Sequence, residues 1–233
     1  MLNRFRFSLQ LFIVFCFVTG GFMISGARTA RGKWKVLFNG KSTDAWRGYN
    51  QTEFPGDVWK VENGVLRALP NVHGVDLITK DQYDNFELTL EWKISPSGNS
   101  GIIYRVAESS DPSYYSGPEM QILDDSKNKD KPENTLAGSL YDLIAPQNKI
   151  LMPVGQFNKA RLLVQGNHVE HWLNGMKVVE YELGSRQLQD LIAGSKFKDM
   201  PNFARIPKGY LALQYHNSEV FFRNIRIREL PIK

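Results

Sequence analysis

The sequence predicts an all-β protein, an antiparallel β-sandwich of two curved sheets with at most a helix or two. Two observations carry this prediction. Apolar and polar residues alternate along many short segments, and turn signals such as Asn-Gly and Gly-Asn separate those segments. The chain has 233 residues, of which 42% are hydrophobic, and this is enough for one domain with a sizeable core.

Residues 1–27 are predicted to be a signal peptide. Arg4 and Arg6 precede the apolar run LQLFIVFCFV, and small residues occupy positions 25–27, so we expect cleavage after Ala27. The protein is therefore expected to be exported, to the periplasm or the extracellular space. The alternative is an uncleaved anchor, because the uncharged stretch is nearly long enough to span a bilayer. Only in that case would the protein contact a membrane.

Cys16, the single cysteine of the chain, lies inside this leader. Lipidation of Cys16 is a third alternative, which the bulky Phe15 before it disfavours. If the leader is removed, a disulfide, a thiolate nucleophile and a cysteine-ligated metal are all excluded. The formal net charge of +5 comes without runs of Lys and Arg, which indicates solubility and argues against a nucleic-acid partner.

The remaining elements follow in order along a domain predicted over residues 34–233, after a polar linker at 28–33. VWKVENGVLRAL indicates a hairpin, ARLLVQGNHVEHWLNGMKVVEYEL a meander of three strands, and SRQLQDLIAGSKFKD a helix capped by Ser185. The closing VFFRNIRIREL is expected to pair with the N-terminal strand at a sheet edge. Two long loops, 107–118 and 126–156, are expected to wall a cleft.

Three segments in the middle of the chain carry most of the candidate chemistry: NFELTLEWKI, GIIYRV and EMQIL. Side chains alternate across a strand, so each segment has an apolar face and a polar face. If the three strands neighbour each other, Glu91, Arg105, Glu119 and Gln121 share the face away from the core. Such a set suits a sugar-binding or sugar-cleaving surface. The alternatives are a solvated polar face and, for Arg105, a salt bridge to Glu91 or Glu119.

Several motifs carry a family resemblance: NFELTLEWKI, GNSGIIYR, GPEMQILDD, AGSLYDLIAP, VEHWLNG and LALQYH with VFFRNIRI. They resemble the motifs of the 3-keto-disaccharide hydrolase domain family over residues 34–230. The resemblance implies a concanavalin A-like sandwich, or jelly roll. It also implies action on glucosides already oxidised at C3, so that the expected partner is a saccharide or a 3-keto glucoside.

A 3-keto glucoside allows one sequence of chemical steps. The C3 ketone makes the C2 proton acidic, a base removes it to give an enolate, and the C1 substituent leaves by β-elimination. Addition of water to the resulting glycal completes a net hydrolysis. These steps need a base, a cation or donor at the carbonyl oxygen, and an acid for the leaving group.

Glu119 or His216 is expected as the base of these steps. His216 shares strand parity with small and amide neighbours, which indicates the open face. Arg105, or a divalent metal held near Glu119 and His216, is expected to stabilise the enolate. No further cofactor is predicted.

Substrate binding is assigned to residues near these groups in parity or in loops. Gln121 shares a strand face with Glu119, and Gln214 shares one with His216. Tyr141 is expected to reach the cleft from a long loop. Glu91 belongs to the same polar face in this prediction.

Glu170 and Trp172 form a second saccharide-binding candidate, because sugar C–H faces stack on indole rings beside carboxylates. The alternative is a core tryptophan with a surface glutamate. His171 has the opposite parity and is expected to be half-buried in a packing role, and the direction of Asp124 at the end of its strand stays open.

The motif around His216 departs from the family pattern. Many relatives read LQDHG where this chain reads LQYHN, so any role of that aspartate does not carry over to Tyr215, whereas His216 is present. Two rival functions remain. One is a lectin-like carbohydrate-binding module, and the other is a conventional glucanase, for which EMQILDD lacks a tight alternation of acidic residues. The chain has no HExxH, GxSxG, Walker or dinucleotide-binding signature.

Overall fold

Two antiparallel sheets packed face to face make up the computed structural model, which describes residues 32–231. The predicted signal peptide lies outside the described residues. In chain order the strands are β1 (Lys35–Phe38), β2 (Trp46–Gly48), β3 (Trp59–Glu62), β4 (Val65–Ala68), β5 (Leu77–Thr79), β6 (Phe86–Ile94), β7 (Asn99–Val106), β8 (Glu119–Leu123), β9 (Asn158–Gln165), β10 (His168–Leu173), β11 (Met176–Glu182), β12 (Tyr210–Leu213) and β13 (Val220–Glu229).

The larger sheet has the strand order β11-β10-β9-β6-β13-β4-β3, and β1 also pairs with β13. The predicted pairing of the first and last strands is confirmed, but the expectation that they meet at a sheet edge is wrong. β13 is ten residues long. Its full length pairs with β6 on one side, while β4 and β1 divide its other side between them. The closing strand therefore lies in the interior of the sheet.

The smaller sheet has the strand order β2-β5-β12-β7-β8. Its strand β7 directly follows β6 in the chain, yet β6 belongs to the larger sheet. Residues 95–98 thus carry the chain from one sheet to the other. As a consequence, Glu91 on β6 does not share a face with Glu119 and Gln121 on β8, and that expectation is wrong. Alternation fixes which side chains of one strand point together, but not which sheet the strand joins.

Apolar side chains fill the space between the sheets. Strand β9 alternates as predicted, with Ala160, Leu162 and Val164 buried and their neighbours more exposed. The largest fully buried side chains include Trp46, Trp59, Trp92, Tyr104 and Phe222. Burial of so much aromatic and aliphatic surface is the main source of stability for a domain of this kind.

A polar cluster lies within this core. The Tyr104 hydroxyl contacts Nε2 of His171 at 2.9 Å and the hydroxyl of Tyr181. His171 is completely buried rather than half-buried, because its strand faces the second sheet. Burial lowers the pKa of His171 to about 4, so the imidazole is neutral at neutral pH.

A second, smaller apolar layer covers the outer face of the smaller sheet. Ile78, Ile103 and Ala212 point outward there and pack with Tyr49, Tyr114 and other aromatic side chains. Strands β7 and β8 are therefore buried on both faces. The covering residues come largely from loops, so this sheet carries a layer of loop structure in which a pocket can form.

The predicted local elements are confirmed. The β3–β4 hairpin turns at Asn63 and Gly64, whose φ angles are 51° and 78°, as an Asn-Gly turn requires. Helix α1 (Arg186–Ala193) begins after Ser185, whose Oγ accepts a hydrogen bond from Leu188 N at 3.2 Å. Within residues 32–231, no helix has the length and apolar content needed to span a bilayer.

Candidate active site

A pocket of about 140 Å³ lies on the outer face of the smaller sheet. Strands β7, β8 and β12 contribute to it, together with both long loops and the segment after α1. Its lining residues are Asn99, Tyr114, Glu119, Gln121, Tyr141, Lys196, Gln214 and His216. The structure thus brings together five residues selected from the sequence: Glu119, Gln121, Tyr141, Gln214 and His216.

Glu119 and Gln121 face the pocket because β8 alternates regularly. Met120 and Ile122 point into the core between the sheets, which turns Glu119 and Gln121 outward. The neighbouring strand β7 carries Gly101 at this point. A Cβ atom at Gly101 would overlap the Glu119 carboxyl group. The missing side chain at Gly101 therefore makes the space that the carboxyl group fills.

Gln214 and His216 enter from the end of β12, on the same face as Ala212, as their parity predicts. The Gln214 N–H donates to the Gly101 carbonyl at 2.9 Å, and its Nε2 lies 3.5 Å from Oε2 of Glu119. This amide therefore orients the Glu119 carboxyl group. His216 is exposed, where the pocket meets solvent.

Lys196 reaches the pocket from the 3₁₀ turn that follows α1. Its Nζ lies 4.3 Å from the ring centroid of Tyr141 and 5.2 Å from that of Tyr114. These cation–π contacts hold the ammonium group against one tyrosine from each long loop. The Tyr141 N–H also donates to the Glu119 carbonyl at 3.0 Å. Both loops thus form pocket walls, as the sequence predicts.

Glu119 is an unusual carboxylic acid in this setting. Burial raises its pKa to about 8; the charge of Lys196 and the Gln214 hydrogen bond oppose this shift, while Asp76 adds to it. Burial also lowers the pKa of the Lys196 ammonium group, although the residue as a whole is exposed, and the charge of Glu119 opposes that shift. A carboxyl group with a pKa near neutrality can serve in proton transfer near neutral pH.

Two carbonyl oxygens of the pocket lack partners. Oδ1 of Asn99 and Oε1 of Gln121 are buried, and neither accepts a hydrogen bond from the described residues. The other side of the Gln121 amide is engaged, because Nε2 donates to the Thr135 carbonyl at 3.3 Å. An unpaired buried acceptor costs about 1–3 kcal/mol. A ligand with hydroxyl groups, such as a sugar, would supply the missing donors.

Asp76 lies near the pocket, where its charge acts on Glu119. Its Oδ1 accepts a hydrogen bond from the Tyr215 N–H at 2.7 Å, and its Oδ2 accepts one from the Ser113 hydroxyl. Burial raises the pKa of Asp76, and the nearby His216 opposes the shift. Asp76, directly before β5, thus places a carboxyl group near His216.

Arg105 does not reach the pocket, contrary to the expectation that it shares a face with Glu119. Its φ angle is 54°, and the pairing of β7 with β12 shifts register here, so a bulge breaks the alternation. The guanidinium group donates to the Gly166 carbonyl at 2.8 Å and lies 3.2 Å from the Asp84 carboxylate. The expected alternative, a salt bridge to Glu91 or Glu119, is also wrong.

Glu91, Glu170 and Trp172 lie on the outer face of the larger sheet and do not line the Glu119 pocket. Trp172 is half-buried and donates from Nε1 to the Glu170 carboxylate at 2.7 Å, so the alternative of a core tryptophan is wrong as well. The structure also shows where the Asp124 side chain points, which the sequence left undecided. Its carboxylate accepts hydrogen bonds from the backbone N–H groups of Ser97, before β7, and Ser126, after β8, and does not line the pocket.

A single group of three side chains in residues 32–231 has a spacing suited to a metal ion: His168, Glu170 and Glu180. It lies on the larger sheet. Burial lowers the pKa of His168, but hydrogen bonds to Glu182 and Glu170 outweigh this and raise it. The arrangement thus favours a charged imidazolium within a salt bridge. The metal near Glu119 and His216 stays a prediction.

The fold and the pocket define a β-sandwich domain with a polar pocket on the outer face of its smaller sheet, lined by a buried carboxylic acid. A family model described as a 3-keto-alpha-glucoside-1,2-lyase-like domain matches residues 33–228. The chain belongs to this family, and the resemblance seen in its motifs is confirmed.

Two relatives agree with this membership. A 3-keto-disaccharide hydrolase of Bacteroides thetaiotaomicron is 35% identical over 228 residues, which cover 84% of this chain and 78% of that protein. A crystal structure from Parabacteroides distasonis, described as a candidate glycosyl hydrolase, is similar with a TM-score of 0.78 at 31% identity. It covers 86% of this chain and 94% of that one.

More distant structures show the fold alone. An endo-β-1,3(4)-glucanase is similar with a TM-score of 0.50 at 11% identity, over 87% of this chain and 97% of that one. A Bacillus subtilis protein with a galectin-like fold has a TM-score of 0.51 at 13% identity, over 86% of this chain and all of that one. The predicted concanavalin A-like β-sandwich is confirmed.

Three pocket residues were not selected from the sequence: Asn99, Tyr114 and Lys196. Asn99 lies in the GNSG motif, where its strand parity with Gly101 was a usable signal. Tyr114 lies in a loop already expected to wall the cleft. No local sequence pattern indicated Lys196 as a pocket residue, because only the packing of α1 against the sandwich brings the following turn to the pocket.

Proposed function

We propose that this protein is a carbohydrate-cleaving enzyme that acts on 3-keto glucosides. It removes the C2 proton, expels the C1 substituent and hydrates the resulting glycal. The name of the family and that of the Bacteroides relative support this substrate class. The observation that carries the chemistry is the buried Glu119 carboxyl group, with its pKa raised to about 8, in one pocket with the Lys196 ammonium group.

Glu119 is the base in this proposal. With a pKa of about 8, roughly one molecule in ten carries the ionised carboxylate at pH 7. That carboxylate is strongly basic because burial destabilises its charge. The Gln214 amide fixes its orientation. The proton passes from C2 of the sugar to a Glu119 oxygen, and the electron pair of the broken C–H bond forms the enolate.

Lys196 stabilises the enolate oxygen, the role that the sequence assigned to Arg105. As the C1–O bond breaks, the enolate electrons form the C1–C2 double bond and restore the C3 ketone. His216, exposed where the pocket meets solvent, gives a proton to the departing oxygen. Water then adds its oxygen to C1 and gives one proton back to His216, while Glu119 returns its proton to C2, so both residues regain their starting protonation states. The unpaired oxygens of Asn99 and Gln121 bind sugar hydroxyls throughout.

The first experiment compares Glu119→Gln with the wild type on a 3-keto glucoside and on the unoxidised glucoside. We expect the wild type to turn over the 3-keto glucoside and not the unoxidised glucoside. The rate of the variant on the keto sugar should be lower by about 10²–10⁴-fold. The exposed Glu53→Gln is the matched control and should keep the wild-type rate. A chelator arm tests the metal alternative. Wild-type turnover by Glu119→Gln would remove Glu119 from the mechanism.

The pH dependence of kcat/KM tests the role of Glu119. If it acts as the base, kcat/KM rises with pH and levels off above an apparent pKa near 8. If it acts as an acid instead, kcat/KM falls through the same pKa. A profile with no inflection near 8 contradicts both roles.

A lectin-like module is the second candidate, because the unpaired Asn99 and Gln121 oxygens would also bind a sugar that is not cleaved. Saccharide binding by a wild type that turns over no keto sugar would support it. A conventional glucanase is less consistent with the pocket. Such enzymes use two carboxyl groups, and Glu119 is the only carboxylic acid among the described lining residues.

A further inference from the structure

A groove of about 620 Å³ lies on the outer face of the larger sheet, on the side of the sandwich away from the Glu119 pocket. Strands β1, β6, β9, β10 and β13 line it. Its shape follows from two irregularities. The β1–β13 pairing shifts register between Val36 and Phe38, and the β13–β6 pairing shifts between Arg223 and Arg226. Such bulges bend strands locally and open a depression in a sheet.

Trp172 offers a flat apolar surface in this groove. Its Nε1 donates to Glu170 at 2.7 Å, and the Arg161 guanidinium carbon lies 4.8 Å from its ring centroid. These contacts hold the indole in one orientation, so little conformational entropy would be lost when a ligand stacks on it. Because the Arg161 guanidinium covers one face of the ring, a pyranose would stack its C–H face on the other.

The groove also carries an excess of positive charge. Its charged lining residues are Glu91, Lys159, Arg161 and Arg226. The carboxylate of Glu91 is engaged by Arg223 at 2.7 Å and by Asn224 at 3.2 Å. Arg161 is paired with Glu87.

Lys159 lies opposite Glu91 in the β6–β9 pairing and interacts with its carboxylate electrostatically, so Arg226 is the cation of this groove that carboxylates engage least. Across residues 32–231, neither Lys159 nor Arg226 forms a salt bridge with a carboxylate. Arg226 donates from Nε to the Thr89 hydroxyl at 3.1 Å and stacks over Trp34, 4.7 Å from its centroid. Its terminal nitrogens stay available to an anion, in a geometry that suits a carboxylate or a sulfate.

We propose that this groove is a second saccharide-binding site, which takes an acidic sugar. The pyranose ring stacks on Trp172, and its carboxylate or sulfate group binds Arg226 and Lys159. This site does not depend on the chemistry proposed for the Glu119 pocket. It would hold the protein on an acidic polysaccharide.

Affinity electrophoresis tests the proposal with gels that contain polygalacturonate, chondroitin sulfate, or the neutral polymers dextran and laminarin. We expect at least one of the two acidic polymers to retard the wild-type protein. The neutral polymers should leave its mobility unchanged. The two acidic arms distinguish a carboxylate from a sulfate. Trp172→Ala and Arg226→Ala should each weaken the apparent affinity by at least about tenfold.

Four controls keep the test specific. Glu119→Gln should bind as the wild type does, because the pocket lies on the other sheet. Arg205→Ala and Lys129→Ala remove exposed cations elsewhere and should also bind normally. Trp172→Phe keeps a stacking ring and should retain most of the affinity even if Trp172→Ala folds poorly.

Several results would overturn the proposal. Equal retardation by neutral polymers would exclude the acidic sugar, and no retardation by any polymer would exclude the site. Binding that survives Trp172→Ala and disappears with Arg205→Ala would indicate diffuse electrostatic attraction, which salt screens. Self-association in sedimentation that Arg226→Ala abolishes, without polymer binding, would assign the groove to a second copy of the chain.

Discussion

At the scale of single residues, the pocket depends on the side chain that Gly101 lacks. Any Cβ at this position would meet the Glu119 carboxyl group, which lies 3.5 Å from the Gln214 amide nitrogen. We therefore expect Gly101→Ala to displace that carboxyl group and to lower kcat by about 10²-fold, since small misplacements of a catalytic group are costly.

Gly56→Ala is the matched control for this prediction. A Cβ at Gly56 would meet no atom within 4 Å, so the same chemical change should leave turnover unaltered. Circular dichroism and thermal melting of both variants separate a displaced carboxyl group from a disturbed fold. Full activity in Gly101→Ala would mean that Glu119 can move without consequence.

In the proposed mechanism Lys196 stabilises the enolate, and in the structure its charge acts on the pKa of Glu119. Its positive charge lowers the Glu119 pKa against the effect of burial. Lys196→Met should therefore reduce kcat by about 10²–10³-fold through loss of electrostatic stabilisation. It should also move the rising limb of the kcat/KM profile to higher pH. The control is Lys198→Met, which removes an exposed charge from the same turn. If the Lys196→Met variant is slower but the rising part of its kcat/KM profile does not move, then Lys196 does not set the pKa of Glu119.

At the scale of elements, the short helix α1 matters because the turn after it delivers Lys196. Ser185 caps this helix by accepting a hydrogen bond from the Leu188 N–H. Ser185→Ala should lower the free energy of unfolding by about 0.5–2 kcal/mol. Gln187→Ala, at an exposed position of the same helix, should change it by much less. Urea denaturation of both variants measures the difference, and equal values would show that the cap contributes little.

At the scale of the whole molecule, two buried groups make folding stability depend on pH with opposite signs. Glu119 has its pKa raised from 4.5 to about 8, so the stability it contributes is full below pH 4.5 and is lost as pH rises toward 8. His171 has its pKa lowered from 6.5 to about 4, so stability is full above pH 6.5 and is lost as pH falls toward 4. Each effect amounts to about 1.4 kcal/mol per pH unit inside its window.

These two effects cancel between pH 4.5 and 6.5, and of the two only the Glu119 effect remains above pH 6.5; the raised pKa of the buried Asp76 acts in the same direction as that of Glu119. From these two groups we expect the wild type to lose about 2 kcal/mol between pH 6.5 and 8. Glu119→Gln has no titrating carboxyl group, so its stability relative to the wild type should rise steadily between pH 5 and 8. Denaturation of both proteins at pH 5, 6.5 and 8 tests this. A constant difference between them would mean that Glu119 titrates normally in the folded protein.

Local sequence patterns predicted most of the strands, the turns, the capped helix and the parity of most side chains. These follow from local chemistry: Asn63 and Gly64 accept the turn angles, Ser185 caps a backbone N–H, and alternation turns Glu119 and Gln121 away from the core. The family motifs add the fold class, because their order along the chain is itself part of the sequence.

Which of these correctly oriented residues come into contact depends on how the strands and loops pack. Glu91 and Trp172 have outward parity, yet their strands join the other sheet, since sheet membership depends on long-range pairing that alternation does not encode. The predicted position of Arg105 was wrong because a bulge shifts the register of its strand. The raised pKa of Glu119 and the arrival of Lys196 exist only once loops distant in sequence bury the carboxyl group. The local sequence pattern sets which face of a strand each side chain points to. Which side chains lie close together, and which are removed from water, depends on how the strands and loops pack.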